Sequence, residues 1–202
     1  MRHKTRLRMF TAATAVLLMG LTMTGCAEKE TNTTMSEKNT PEGTISAREG
    51  RDRVVELVFN TTEQLDITGW WPRNGVAAAD ECIPKSRSGI EHATASYSYD
   101  RWAPRGTDHI EDAKRVADYW ESLGMTVRTV NPTTHPTVFA EGGPVARAVF
   151  DTAAADQSYS VGATAPCSPG DAVTLNDEDE AERDQGKVLP GDEGLVLQDP
   201  PQ

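Results

Sequence analysis

Apolar residues between residues 46 and 170 recur first with the spacing of a helix and then with the spacing of a strand, and this order constrains the fold more than any other feature. The three- and four-residue spacing predicts helices over residues 46–65 and 108–123. Alternation of apolar and polar residues predicts strands at residues 90–101, 125–130, 145–151 and 159–165. The connection after the second of these strands has room for one further short strand at residues 138–140.

Residues at the helix ends agree with this assignment. Ser46 and Glu49 have the spacing of a capping box, and Asp108 with Glu111 repeats it before the second helix. Gly124 stands where a left-handed residue commonly ends a helix. The order of elements predicts an α+β fold, namely a two-layer sandwich in which two helices pack on one face of a mainly antiparallel sheet of about four strands.

The first 25 residues have the order of a secretion signal, with basic residues before an apolar run at residues 9–21. The run is shorter than the ~20 residues that a membrane-spanning helix needs. Residues 21–26 look like a lipobox, which predicts cleavage before Cys26 and acylation of its thiol. Two other interpretations remain open: an uncleaved membrane helix, and an ordinary secretory signal in which Cys26 is incidental.

Acylation of Cys26 would hold the chain on the outer, extracytoplasmic face of the cell membrane, with the lipid bilayer as its first partner. Each buried methylene of an acyl chain contributes ~0.8 kcal/mol, so two or three chains anchor a protein stably. Residues 26–45 are mostly polar and predict a flexible, lipidated tether. The sequence therefore predicts a signal peptide at residues 1–25, this tether, and one globular domain at residues 46–170.

Without its first 25 residues the chain has 16 Lys and Arg against 31 Asp and Glu, a formal net charge of −15. A surface this acidic repels phosphate groups, so we expect no nucleic acid partner. Ten of the acidic residues and only two basic ones fall within residues 171–202. Because like charges repel and the segment has few apolar side chains to bury, it is predicted to be an acidic disordered tail.

Cys82 and Cys167 remain as a pair once Cys26 is assigned to lipid. An even pair of cysteines outside the cytoplasm predicts a disulfide. Neither cysteine has a second Cys or a His at ligand spacing, which disfavours a metal site. The open alternative is that both thiols are unpaired.

No sequence motif indicates a catalytic site, a metal site or a cofactor. His92, His109 and His135 share no metal-binding spacing, and no serine lies in a Gly-x-Ser-x-Gly turn. Each histidine is expected to be an exposed polar residue. We therefore expect no catalytic residue, no metal and no cofactor.

Aromatic residues provide one candidate binding surface. Trp70, Trp71 and Trp102, together with Tyr97 and Tyr99, are a candidate set for a groove that binds a sugar or a peptide. The alternative is that these side chains belong to the core and to its edge. The three tryptophans are therefore the candidate residues for a ligand groove.

The segment from residue 117 to residue 127, with the strands after it and a closing Thr-Ala-Pro-Cys at residues 164–167, resembles a recurring pattern in small lipoproteins of actinobacteria. The layout is similar to that of the mycobacterial LppA-type lipoproteins: lipobox, helix, loop cysteine, strand, helix, and strands that end at a second cysteine. The resemblance covers roughly residues 20–170 and implies the location, the fold and the disulfide. It implies no catalytic residue.

The leading hypothesis is a membrane-anchored extracytoplasmic lipoprotein that acts as a binding or interaction module at the cell envelope, with an unknown envelope ligand or protein as its partner. It is not expected to be an enzyme. One alternative is an envelope hydrolase with an unrecognised site, built from carboxylates and His92 or His109. Another is a structural accessory subunit of an envelope complex.

Overall fold

A computed structural model describes residues 45–82, 93–193 and 195 of the chain. Its helices are α1 (Ala47–Glu63), α2 (His109–Ser122) and α3 (Ala172–Asp184), with a short 3-10 helix at Ala155–Gln157. Its strands are β1 (Ala78–Glu81), β2 (Thr94–Ala103), β3 (Thr126–Val130), β4 (Thr137–Glu141), β5 (Arg147–Asp151), β6 (Tyr159–Thr164) and β7 (Ser168–Pro169). The signal segment, Cys26, the tether up to residue 44 and His92 lie outside the described residues.

The strands form one antiparallel sheet with the order β1-β2-β6-β5-β4-β3, and β7 also pairs with β2. The predicted α+β class and antiparallel sheet are therefore confirmed. The predicted number of about four strands is too low, because the described residues alone form a sheet of seven. β7 has only two residues, too few to show a period of two, and the four residues of β1, Ala78–Glu81, do not alternate between apolar and polar.

The three α-helices among the described residues pack on one face of the sheet. Tyr97 of β2 and Tyr159 of β6 lie on the same face, because strand residues alternate between faces and the two strands pair in register. Arg51 of α1 lies over the ring of Tyr97 at 5.8 Å, and Asp179 of α3 accepts a hydrogen bond from its hydroxyl at 2.7 Å. Asp112 of α2 accepts one from the hydroxyl of Tyr159 at 2.9 Å. The helical layer therefore has one helix more than predicted.

Helix α3 corrects the prediction of an acidic disordered tail at residues 171–202 for the part that the structure describes, residues 171–193 and 195, and it extends the folded unit past the predicted boundary. Asp179 lies in the middle of the acidic run, is only 1% exposed, and contacts Arg48 and Arg51 of α1 at 3.1 and 3.2 Å. Two arginines of α1 thus neutralise part of the acidic charge that was expected to keep the segment unfolded. Leu189, beyond α3, is also buried.

The ends of the first two helices follow the predicted signals. The hydroxyl of Ser46 accepts from the backbone N–H of Glu49 at 3.1 Å, and Asp108 accepts from that of Glu111 at 3.2 Å. Each bond satisfies a donor that the first turn of a helix leaves free. Gly124 follows α2 with a φ of 77°, the left-handed conformation that glycine adopts without strain.

The predicted disulfide between Cys82 and Cys167 is present, with its Cα atoms 6.0 Å apart. This separation is normal for a disulfide. Cys82 directly follows β1 and Cys167 directly precedes β7, and both strands pair with β2. The bond therefore fastens the two shortest strands to the same part of the sheet.

Candidate functional site

The candidate functional site lies on the face of the sheet opposite the helices. We call it the open face; it is the side that carries Ser98, Asp100 and Trp102 of β2, whose neighbours Tyr97, Tyr99 and Arg101 are buried. None of the described helices packs on it.

Side chains on the open face form rows, because paired residues of antiparallel strands lie directly opposite each other. The central row runs through β2, β6, β5, β4 and β3: Asp100, Gly162, Val149, Phe139 and Arg128. The next row runs through β2, β6, β5 and β4: Ser98, Thr164, Arg147 and Glu141. The two rows place an acidic residue of β2 and a basic residue of β5 on either side of β6.

A groove of about 410 Å³ lies over β6 on this face. Gly162 lies between Asp100 and Val149 at the bottom of the groove, and because it has no side chain the groove is deepest there. A Cβ atom at Gly162 would lie 3.4 Å from the Cβ of Asp100, an ordinary contact, so crowding does not require a glycine here. The absent side chain keeps the groove open. The polar residues that line the groove are Asn74, Asp80, Ser98, Asp100, Arg147 and Thr164.

Asp100 is held in one orientation at the side of the groove. Its Oδ1 accepts from Nδ2 of Asn74 at 2.8 Å, and its Oδ2 accepts from Nε1 of Trp102. The ring of Trp102 in turn lies 4.1 Å from the guanidinium carbon of Arg73, a cation–π contact. A carboxylate with one donor on each oxygen still has lone pairs that can accept from a ligand.

The groove contains charges of both signs that form no ion pair with the described residues. No basic side chain in this part of the chain lies within 4.0 Å of Asp80 or Asp100, and no carboxylate lies within 4.0 Å of Arg147. Glu141 faces Arg147 across the β4–β5 pair but lies beyond that distance. Among the described residues, both signs of charge in the groove therefore lack a counter-ion.

Two of the three tryptophans named from the sequence come together. Trp71 and Trp102 exchange two backbone hydrogen bonds of 2.8 Å as an antiparallel pair, so both side chains lie on the open face. Trp70 packs against the core instead, and its Nε1 donates to the carbonyl of Ile67 at 3.1 Å. None of the three lines the groove over β6, although Trp102 orients Asp100 beside it.

A second cavity, of about 450 Å³, lies at the N-terminus of α2 and is lined by Asp112. The carboxylate of Asp112 is buried between the hydroxyl of Tyr159 at 2.9 Å and the guanidinium of Arg115 at 3.6 Å. Burial, and then this hydrogen bond, raise the pKa of Tyr159. A Cβ at Gly106 would lie 2.7 Å from Asp112, so the backbone closes over the carboxylate. These internal contacts hold α2 on β6.

Two histidines stack beside this second cavity. The rings of His109 and His135 have centroids 5.8 Å apart. His109 Nε2 lies 2.6 Å from the carbonyl oxygen of Thr134, and His135 Nδ1 lies 3.4 Å from a guanidinium nitrogen of Arg105. The pair could not be predicted from the sequence, because the contact joins α2 to the β3–β4 connection and no local spacing indicates such a contact.

Comparisons of the chain with protein-family models, curated proteins and solved structures found no match. Across residues 45–82, 93–193 and 195, no three His, Cys, Asp or Glu side chains are grouped so that they could hold a metal ion. No helix within those residues has the length and apolar character needed to cross a membrane. The groove on the open face is therefore the feature from which we infer a function.

Proposed function

We propose that the protein is a membrane-anchored extracytoplasmic lipoprotein that binds a component of the cell envelope in the groove on its open face. Antiparallel sheets commonly expose one face to water, so exposure alone does not indicate a site. The observation that carries the proposal is the groove itself: Gly162 opens it, and Asp100 stands beside it with its orientation fixed by two donors.

The location in this proposal comes from Cys26 and its lipobox-like context, followed by the polar residues of the predicted tether. The Cys82–Cys167 disulfide supports it, because disulfides form and persist mainly in oxidising compartments outside the cytoplasm. A lipid anchor with a polar tether would leave the folded unit free to present the groove to the envelope.

Replacing Gly162 by valine is expected to abolish binding of envelope components without unfolding the protein. The branched side chain would fill the floor of the groove, while valine is a favourable residue in a strand. Binding is measured by calorimetry with a soluble digest of the cell envelope, and the fold is checked by circular dichroism.

Ser160→Val is the matched control for this variant. Ser160 lies on the same strand and the same face, opposite Trp102 and Asp151, but does not line the groove. It is expected to keep the binding of the wild-type protein. Equal binding by the Gly162→Val and Ser160→Val proteins would contradict the proposed site.

A further inference from the structure

We infer that the groove binds a zwitterionic peptide, with its free ammonium group on Asp100 and its free carboxylate on Arg147. This inference rests on the proposed function and names the class of ligand for the same groove. It follows from the position of two oppositely charged side chains on either side of Gly162.

The separation of the two charges follows from the sheet register. Asp100 pairs with Gly162 and Gly162 with Val149, while Arg147 is two residues from Val149 along β5. With strands about 4.8 Å apart and a rise of about 3.4 Å per residue, the Cα atoms of Asp100 and Arg147 are about 12 Å apart. An extended tripeptide, at about 3.5 Å per residue, spans nearly this distance.

The groove between the two charges is suited to a peptide backbone. Ser98 and Thr164 lie there, and their hydroxyl oxygens are 3.4 Å apart. A hydroxyl both donates and accepts, so each can bond a peptide carbonyl or N–H. Val76 and Val149 supply apolar contact for small side chains.

Charge complementarity favours a zwitterion over a ligand with charge of one sign. An anion would be attracted by Arg147 but repelled by Asp80 and Asp100, which line the same groove. A simple cation would leave Arg147 without a partner. A peptide with both termini free provides a charge-assisted hydrogen bond at each end.

Calorimetry with three related peptides tests this assignment on the full chain as isolated from cells. The probes are trialanine, N-acetyl-trialanine and trialanine amide, which differ only in the charge of one terminus. Trialanine is expected to bind, and capping either terminus is expected to weaken binding about tenfold or more, as loss of a hydrogen bond between charged groups does.

Two variants assign each terminus to its residue. The Asp100→Asn protein is expected to bind trialanine as weakly as it binds N-acetyl-trialanine. The Arg147→Gln protein is expected to bind trialanine as weakly as it binds trialanine amide. The matched controls are Asp118→Asn, at an exposed position of α2, and Arg128→Gln, on the open face outside the groove. Both control proteins are expected to bind trialanine more tightly than its capped forms, as the wild-type protein does.

Capped peptides that bind as tightly as trialanine would overturn the inference. So would Asp100→Asn and Arg147→Gln proteins that still bind trialanine more tightly than its capped forms. Failure of trialanine to bind would also overturn it. If Gly162→Val still abolished binding of the envelope digest in that case, only the ligand class would be wrong. If Gly162→Val left that binding intact, the proposed site would fail as well.

Discussion

Reduction of the Cys82–Cys167 disulfide is expected to lower the free energy of unfolding by about 4 to 5 kcal/mol. The bond joins residues 85 apart in sequence, and a cross-link over so long a loop removes much conformational freedom from the unfolded chain. β1 and β7 have only four and two residues paired with β2, so the disulfide joins the strands with the fewest ladder hydrogen bonds in the described sheet. Guanidinium unfolding of the oxidised and reduced proteins measures the difference.

The double variant Cys82→Ala/Cys167→Ala provides the control for effects of the reductant itself. Its stability is expected to match that of the reduced wild-type protein and to be the same with and without reductant. A loss of less than about 1 kcal/mol on reduction would show that the bond contributes little, contrary to the loop-closure argument.

Replacing Asp179 by alanine is expected to lower the free energy of unfolding by about 3 to 5 kcal/mol, because it removes the buried counter-charge of Arg51 and leaves it only the exposed carboxylate of Asp52 at 3.1 Å. Arg51 has only 7% of its side chain exposed and lies 3.2 Å from Asp179. Tyr97 would also lose the acceptor of its hydroxyl. Burial, and then this hydrogen bond, raise the pKa of Tyr97. Thermal unfolding followed by circular dichroism measures the loss.

Glu178→Gln is the matched control, because Glu178 precedes Asp179 on α3 and contacts Arg48 at 3.0 Å with 54% of its side chain exposed. An exposed ion pair contributes about 0 to 1 kcal/mol, so little change is expected. The combined variant Arg51→Met, Asp179→Leu and Tyr97→Phe removes the whole buried polar group and is expected to regain most of the stability. Equal losses in Asp179→Ala and Glu178→Gln would contradict this account.

The sequence predicts the elements whose residues carry a long, regular pattern. α1, α2 and strands β2, β3, β5 and β6 were predicted because their spacing and caps, such as Ser46 with Glu49, are local signals. β4 lies in the connection that was given room for one short strand. α3 was missed because its stability depends on Asp179 meeting Arg48 and Arg51, which lie on a distant helix. One local clue was present: Arg51 precedes Val54 by three residues and so continues the buried stripe of α1.

The groove could not be predicted because its residues come from separate strands and meet only through register. Asp100, Gly162 and Arg147 become neighbours when β2, β6 and β5 pair, and no spacing in the sequence encodes that order. Trp71 and Trp102, two of the three tryptophans predicted to form a ligand groove, lie on the open face but do not line the groove over β6. Aromatic content did not distinguish them from Trp70, which packs against the core.

The most direct test of the account as a whole is the intact mass of the protein isolated from cells, measured before and after treatment with a thiol-alkylating reagent. The account predicts a chain that begins at Cys26, carries acyl groups, and gains nothing from the reagent because Cys82 and Cys167 are joined. A chain that begins at Met1, with all three cysteines alkylated, would contradict both the anchor and the extracytoplasmic location.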